Sequence, residues 1–76
     1  SITKGNYQKI LSTLSKEEKL IFEKLIEAKG TIFQSDLVEK TNHSKVKITR
    51  ILDKLEGKNL IERRRRGMTN MVIIKQ

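Results

Sequence analysis

The apolar residues of this chain follow a helical spacing over most of its length and an extended spacing at its end, and this change restricts the fold more than any other feature of the sequence. Before residue 59, apolar side chains recur at intervals of three and four residues, as on one face of an α-helix. After residue 59, a run rich in arginine and a run rich in β-branched residues flank a glycine, which is typical of a β-hairpin. The pattern predicts an α+β chain with helices first and a hairpin last.

Two helices are predicted in the N-terminal half. The apolar face of a first short helix over residues 7–14 consists of Tyr7, Ile10, Leu11 and Leu14. Ser15 and Glu18 then form a capping box, in which each side chain accepts a hydrogen bond from the backbone amide of the other, so a second helix begins directly after Ser15. Gly30 supplies the left-handed residue that commonly ends a helix, so this one should end near Lys29.

A strand, a short helix and a turn are predicted next. Residues 31–33 read Thr-Ile-Phe, and such β-branched and aromatic residues favour a brief strand. Ser35 is expected to cap a helix over residues 36–40, because a serine hydroxyl can accept from the first amides of a helix. Residues 41–43 read Thr-Asn-His, and their polar side chains favour a turn.

A longer helix is predicted over residues 45–58. Ser44 is placed to cap its start, and Asn59 can take the left-handed conformation that ends it. The residues expected to face the core are Ile48, Ile51, Leu52 and Leu55.

The C-terminal segment predicts two strands, over residues 60–64 and 70–75, joined by a five-residue tip over residues 65–69. These parts make up a winged helix-turn-helix, with a three-helix core, an extra short N-terminal helix and a C-terminal β-hairpin wing. A chain of 76 residues has too little apolar material for two cores, so residues 1–76 should form one domain, with residues 1–14 as a helical extension. The chain has no cysteine, so the fold must hold by packing alone.

The net charge of +8 is concentrated in the C-terminal part of the chain. Residues 1–42 hold seven lysines and six acids, a net charge of +1, whereas residues 43–76 hold ten lysines and arginines and three acids, a net charge of +7. Such a field attracts a polyanion, either nucleic acid or an anionic membrane surface. The alternative is a solvated surface rich in lysine and glutamate, which suits the balanced first part better than the second.

The helix over residues 45–58 and the wing carry the residues expected to contact DNA. An α-helix fits the major groove, and the planar guanidinium of Arg50, opposite the core face, can donate to both O6 and N7 of a guanine. Val46 on the same face suits a thymine methyl group, or it is a lone exposed apolar residue. Arginines of the wing suit the phosphate backbone or the minor groove, or they serve only solubility or nuclear localisation. The expected DNA-binding residues are Ser44, Lys45, Val46, Lys47, Thr49, Arg50, Lys54, Arg64, Arg65, Arg66 and Thr69.

One stretch, residues 37–63, also carries a recognisable pattern. Its features are a serine at the helix start, a Thr-Arg pair, a leucine-rich helix end, an Asn-Leu-Ile step and a basic wing; these are Ser44, Thr49-Arg50, Leu52 and Leu55, Asn59-Leu60-Ile61, and Arg63 to Arg66. In this the chain resembles the MarR-type winged helix-turn-helix transcription regulators, and it is similar to archaeal winged-helix regulators, some of them predicted to be membrane-associated. The resemblance implies sequence-specific binding of double-stranded DNA as a transcriptional regulator. The chain departs from the family in having Asn59 where glycine is usual and in lacking the long flanking helices of the family's dimer.

Nothing in the sequence predicts an enzyme. His43 is the only histidine, no cluster of acids has metal-ligand spacing around it, and no glycine-rich phosphate loop or paired nucleophile and base is present. We therefore expect no catalytic residue, metal or cofactor. Two other binding functions compete with DNA binding: a winged-helix module for protein–protein interaction in a larger assembly, and RNA binding, for which the basic part lacks stacking aromatic residues.

Assembly and location follow from the N-terminal part. The apolar stripe of residues 6–14 lies on a helix too short to be stable alone, so it must pack on its own domain or on a partner. We expect a homodimer of the full-length protein to which this segment contributes. No apolar run is long enough to span a bilayer, and the residues after Ser1 lack the apolar core of a signal peptide. We therefore expect a cytoplasmic protein, and we expect no membrane contact by residues 1–76. Because the first residue is not methionine, we expect Ser1 to be either the cut end of a longer protein or an engineered start.

Overall fold

A computed structural model of the protein describes residues 6–75, so the start of the expected N-terminal extension lies outside the described residues. The elements are α1 (Tyr7–Leu11), α2 (Lys16–Glu27), β1 (Thr31–Phe33), α3 (Gln34–Thr41), α4 (Lys45–Gly57), β2 (Ile61–Arg66) and β3 (Thr69–Ile74). The three strands form an antiparallel sheet in the order β1-β3-β2. Within residues 6–75 the protein is a small α+β fold of four helices and one sheet, an arrangement compatible with a winged helix.

The start of α2 is as the sequence predicts, but its end differs. The Ser15 Oγ accepts from the Glu18 amide at 3.3 Å, and the Glu18 carboxylate accepts from the Ser15 amide at 2.9 Å. The helix ends at Glu27, and Lys29 already takes a left-handed conformation with φ of 62°, one residue before Gly30 with φ of 97°. The amide of Gly30 then donates to the Leu25 carbonyl at 2.8 Å, which closes the last turn as a Schellman motif.

The prediction that Ser35 caps α3 is wrong. β1 runs directly into the helix, which begins at Gln34 after Phe33, so Ser35 already lies inside the first turn and makes no capping bond. In a sequence, a capping residue marks where a helix begins. Here β1 ends at Phe33 and α3 begins at Gln34, so no capping residue lies between them. The helix ends in the predicted turn, where Asn42 is left-handed with φ of 60°.

The structure of α4 follows its prediction closely. The Ser44 Oγ accepts from the Lys47 amide at 3.1 Å at its start. At its end Asn59 is left-handed with φ of 63°, and the Leu60 amide donates to the Leu55 carbonyl at 3.1 Å. An asparagine therefore ends this helix in the way that a lysine ends α2.

The hairpin is longer and its tip shorter than predicted. The ladder continues through Arg65↔Asn70 to Arg66↔Thr69, so the turn consists of Gly67 and Met68 and not of five residues. Gly67 has φ of 61° at the first turn position, where two-residue hairpins favour a glycine. Because pairing continues to the tip, the side chains of β2 alternate between the two faces of the sheet along its whole length.

A single core joins the helices to the inner face of the sheet. Its buried members are Leu11, Ile21, Phe22, Leu25, Ile32, Leu37, Ile48, Ile51, Leu52, Leu55, Ile61, Val72 and Ile74. The short helix α1 belongs to this core, because Leu11 is buried in it and the Tyr7 ring meets the Phe22 ring edge to face at a centroid distance of 6.0 Å. The apolar stripe of α1 thus packs on its own domain.

Candidate nucleic-acid interface

The exposed side of α4 and the tip of the β2–β3 hairpin are both basic, and they adjoin at the start of α4; we call the two together the helix–hairpin surface. On α4 its members are Lys45, Val46, Arg50 and Lys54, and on the hairpin they are Arg64, Arg65, Arg66, Met68 and Thr69. Each of them except Thr69, which is half-buried, is exposed. Within residues 6–75, no acid lies in salt-bridge distance of Lys45, Arg50, Lys54, Arg65 or Arg66.

A cleft of about 290 Å³ separates the start of α4 from the hairpin tip. Its walls come from α3, α4 and the hairpin, and they consist of Gln34, Ser35, Val38, Lys45, Arg65, Met68, Thr69 and Asn70. Lys45 and Arg65 therefore lie across one cleft from each other, although twenty positions separate them in the sequence. This juxtaposition makes the helix and the hairpin one surface and not two.

Two residues expected to contact DNA are occupied within the domain. The Lys47 ammonium lies 2.6 Å from the Glu17 carboxylate of α2. The hydrogen bond from Lys47, together with the positive charges of Lys47, His43 and Arg50, lowers the pKa of Glu17. Thr49 faces α3, where its hydroxyl accepts from the Gln34 side-chain amide at 3.0 Å. Lys47 thus ties α4 to α2, and Thr49 ties it to α3.

A polar chain that the sequence analysis missed links α4 to the hairpin. Gln34 is buried, and while its Nε2 donates to Thr49 its Oε1 accepts from the Asn70 Nδ2 at 3.2 Å. The three side chains come from α4, from the first residue of α3 and from β3 beside the hairpin tip. The buried amide is hydrogen-bonded at both ends, so it fixes the hairpin relative to α4.

Arg63 makes a second link, also missed, between the same two elements. Its guanidinium lies 2.6 Å from Asp53 and 2.7 Å from Glu56, both on α4. Burial acts to lower the pKa of Arg63, but the hydrogen bonds from its guanidinium to the two carboxylates outweigh burial, so that the pKa is raised. The first arginine of the run is therefore structural. No sequence signal separated it from the three that follow.

The alternation along β2 places these three arginines differently. Arg64 is exposed on the outer face of the sheet, and its only acidic neighbour among residues 6–75 is Glu62 at 3.4 Å. Arg65 lies on the inner side, at the cleft, and its Nε donates to the Gly67 carbonyl at 3.1 Å. Arg66 returns to the outer side, opposite Thr69. The tip thus carries an arginine on each face.

The far end of α4 carries a lysine with a structural role. The Lys58 ammonium lies 2.9 Å from the Glu18 carboxylate, which is buried at the start of α2. The hydrogen bond from Lys58, with that from the Ser15 amide, lowers the pKa of Glu18. One carboxylate thus closes the capping box of α2 and holds the end of α4.

Residues 6–75 also bear on metal binding and on membrane insertion. No three His, Cys, Asp or Glu side chains come together as a metal-binding group there. None of the helices in this part of the chain has the length and apolar character needed to cross a membrane.

These features define a small α+β domain with a cationic helix and hairpin on one side. The chain belongs to the family described as "Domain of unknown function (DUF7343)", whose model matches residues 13–75. It is also similar to "Uncharacterized protein MJ1254" of Methanocaldococcus jannaschii, with 36% identity over 63 residues, which are 83% of this chain and 13% of that relative. The chain therefore spans only a small part of that relative's length. No solved structure matches the chain significantly.

Proposed function

We propose that this domain is a winged helix-turn-helix that binds double-stranded DNA in a sequence-specific manner and acts in transcriptional regulation. In this proposal α3 and α4 are the helix-turn-helix, α4 lies in the major groove, and the β2–β3 hairpin is the wing. Arg50 and Val46 read base edges from α4. Lys45, Lys54 and the wing arginines hold phosphates.

The observation that carries the proposal is the cleft shared by Lys45 and Arg65. The start of α4 and the hairpin tip adjoin at this cleft. Lys45 and Arg65 are both cationic and lack acidic partners in residues 6–75. The two elements can therefore meet the major groove and the neighbouring backbone of one duplex at once. Two of the three acids of the C-terminal part, Asp53 and Glu56, pair with Arg63, and the third, Glu62, lies beside Arg64. The positive charge that remains faces outward, where it attracts a polyanion.

A salt titration tests the proposal. Each phosphate contact contributes about −0.9 to the slope of log affinity against log salt, so roughly four contacts give a slope of about −3.6 on duplex DNA. Lys45→Ala should make the slope shallower by about 0.9. Lys9→Ala is the matched control, because Lys9 is exposed beside Leu60, at the other end of α4, and its loss changes the net charge equally.

A slope near zero for the unaltered chain would contradict the proposal. Binding to a protein partner with no affinity for duplex DNA would instead favour the protein-interaction module. Equal effects of Lys45→Ala and Lys9→Ala would mean that net charge alone drives the association.

A further inference from the structure

The two most exposed of the large apolar side chains among residues 6–75 lie on the helix–hairpin surface. Val46 is 78% exposed and Met68 is 95% exposed, whereas Leu20 and Phe33, elsewhere on the domain, are 37% and 39% exposed. A side chain that is 95% exposed packs against almost nothing in its own domain. The stability of the fold therefore gives no reason for an apolar residue at position 68.

The hairpin tip that carries Met68 is narrow and well fixed. Gly67 and Met68 are its only two turn residues, and the Arg66↔Thr69 pair closes it. The Arg65 guanidinium donates to the Gly67 carbonyl at 3.1 Å, which binds the turn to its own strand. Met68 thus stands at the apex of a ribbon two strands wide.

The charges beside Met68 are arranged on both sides of that ribbon. Arg65 lies on the inner face, at the cleft, and Arg66 on the outer face, because side chains alternate along β2. The minor groove of duplex DNA is about 6 Å wide, with a wall of phosphates on either side. Its negative potential favours arginine. The arginine on each face of the tip matches the charge of that groove, and the two-residue turn with its apolar apex is the narrow part of the ribbon that can enter it.

We propose that the hairpin tip enters the minor groove and that Met68 inserts between two base pairs as an apolar wedge, so that the domain bends the DNA it binds. This inference rests on the proposed function and deepens it. Methionine suits the role because it is unbranched, flexible and polarizable, and apolar wedges of this kind kink a duplex by unstacking one base step. Pyrimidine–purine steps such as TA unstack most readily, so Met68 makes the domain selective for a flexible step that it does not read by hydrogen bonds.

The test measures bending and affinity together on duplexes of about 30 base pairs, a length that holds one bent site. The duplexes are selected by the unaltered chain from a random pool, and energy transfer between dyes at the two ends reports the bend. Met68→Ser removes the wedge, and Met68→Leu is the matched control that keeps an apolar side chain. Both variants should fold, because the side chain is 95% exposed.

We expect the unaltered chain and Met68→Leu to bring the duplex ends together by a bend of tens of degrees. Met68→Ser should leave the duplex straight, lose the preference for a TA step at the contacted position and bind roughly tenfold more weakly, about 1.4 kcal/mol. Equal bending and equal affinity of Met68→Ser would overturn the wedge, while steep salt dependence in all three chains would keep the proposed function. Absence of duplex binding by all three chains at low salt would overturn both.

Discussion

Arg50 and Lys47 stand one turn apart on α4, yet their surroundings give them different tasks. Lys47 is held by Glu17 at 2.6 Å, whereas Arg50 is exposed and has no acid within salt-bridge distance among residues 6–75. A cation already paired inside the domain must break that pair before it can bind a phosphate, and an unpaired one need not. Of these two side chains, Arg50 is therefore the one that can contact DNA without first breaking an ion pair, as its proposed role requires.

Arg50→Ala should change recognition without changing stability. An exposed helix position away from the core moves the free energy of unfolding by less than about 0.5 kcal/mol. If Arg50 donates to both acceptors of one guanine, its loss lowers discrimination at one base pair by roughly 1–3 kcal/mol while binding to non-specific duplex changes little. Paired titrations of selected and scrambled duplexes at one salt concentration measure this difference.

The control for that experiment is Lys54→Ala, since Lys54 is exposed on the same helix and likewise lacks an acidic partner in the described residues. It should weaken both duplexes by a similar factor. Lys58 is unsuitable, because its removal would leave the buried Glu18 without its partner. Equal losses on both duplexes for Arg50→Ala would mean that Arg50 binds phosphate and not a base.

Which cations are free and which are paired could not be predicted from the sequence. Helical spacing correctly placed Arg50 opposite the core face, because one period fixes a direction around the helix. The partners of Lys47 and Arg63 come from other elements, Glu17 from α2 and Asp53 and Glu56 from α4, and no local pattern reports such distant pairs.

At the scale of elements, the hairpin depends on α4 for its position. Arg63 links β2 to α4 through two carboxylates, and Asn70 links β3 to it through Gln34. The two links lie on the two strands of the ribbon, so they resist rotation as well as displacement. Under the proposed function, Arg63 therefore positions the hairpin and the arginines that follow it on the same strand bind DNA.

Arg63→Ala and Arg66→Ala should separate these two roles. Arg63→Ala should lower the free energy of unfolding by about 1 kcal/mol, since it removes a partly buried guanidinium with two charged partners that stay partly exposed. Arg66→Ala should leave stability within about 0.5 kcal/mol and weaken binding to every duplex by a similar factor. Urea unfolding and duplex titration of both variants provide the comparison. Equal stability of the two variants would show that the Arg63 contacts do not hold the hairpin.

The order and type of the elements follow from the sequence more closely than their junctions do. The capped starts of α2 and α4 were predictable because each cap is a local motif of four residues. The start of α3 was not, because it depends on Gln34 being held by Thr49 and Asn70, far away along the chain. The tip was predicted too long because the pairing of Arg65 with Asn70 and of Arg66 with Thr69 is a contact between strands, which the sequence of neither strand reports by itself.

At the scale of the whole molecule, α1 is the element whose role changes most between sequence and structure. Its apolar stripe suggested an interface with a second copy, but Leu11 is buried in the domain's own core and Tyr7 packs on Phe22. The homodimer remains a prediction without that support. What the structure shows is a fourth helix completing a single core.

Tyr7→Ala tests which of these roles α1 has. If α1 serves its own domain, losing the ring should lower the free energy of unfolding by about 2 kcal/mol, and Tm should not depend on protein concentration. Tyr7→Phe keeps the edge-to-face contact and should be nearly neutral. A Tm that rises with protein concentration in the unaltered chain, and no longer does so in Tyr7→Ala, would instead place α1 in a dimer interface.

The hydrogen-bonded chain from Thr49 through Gln34 to Asn70 contains no charge. Salt therefore does not screen it, and pH does not titrate it. This link between the hairpin and α4 should therefore persist at salt concentrations and pH values at which the Arg63 link and the attraction to phosphates weaken. If the domain binds DNA as proposed, a hairpin fixed in this way loses little backbone entropy on binding, and the loss falls on the exposed side chains. In the proposed complex the duplex and not the protein would then change shape, so that the stiffness of each DNA sequence adds to the discrimination made by Arg50.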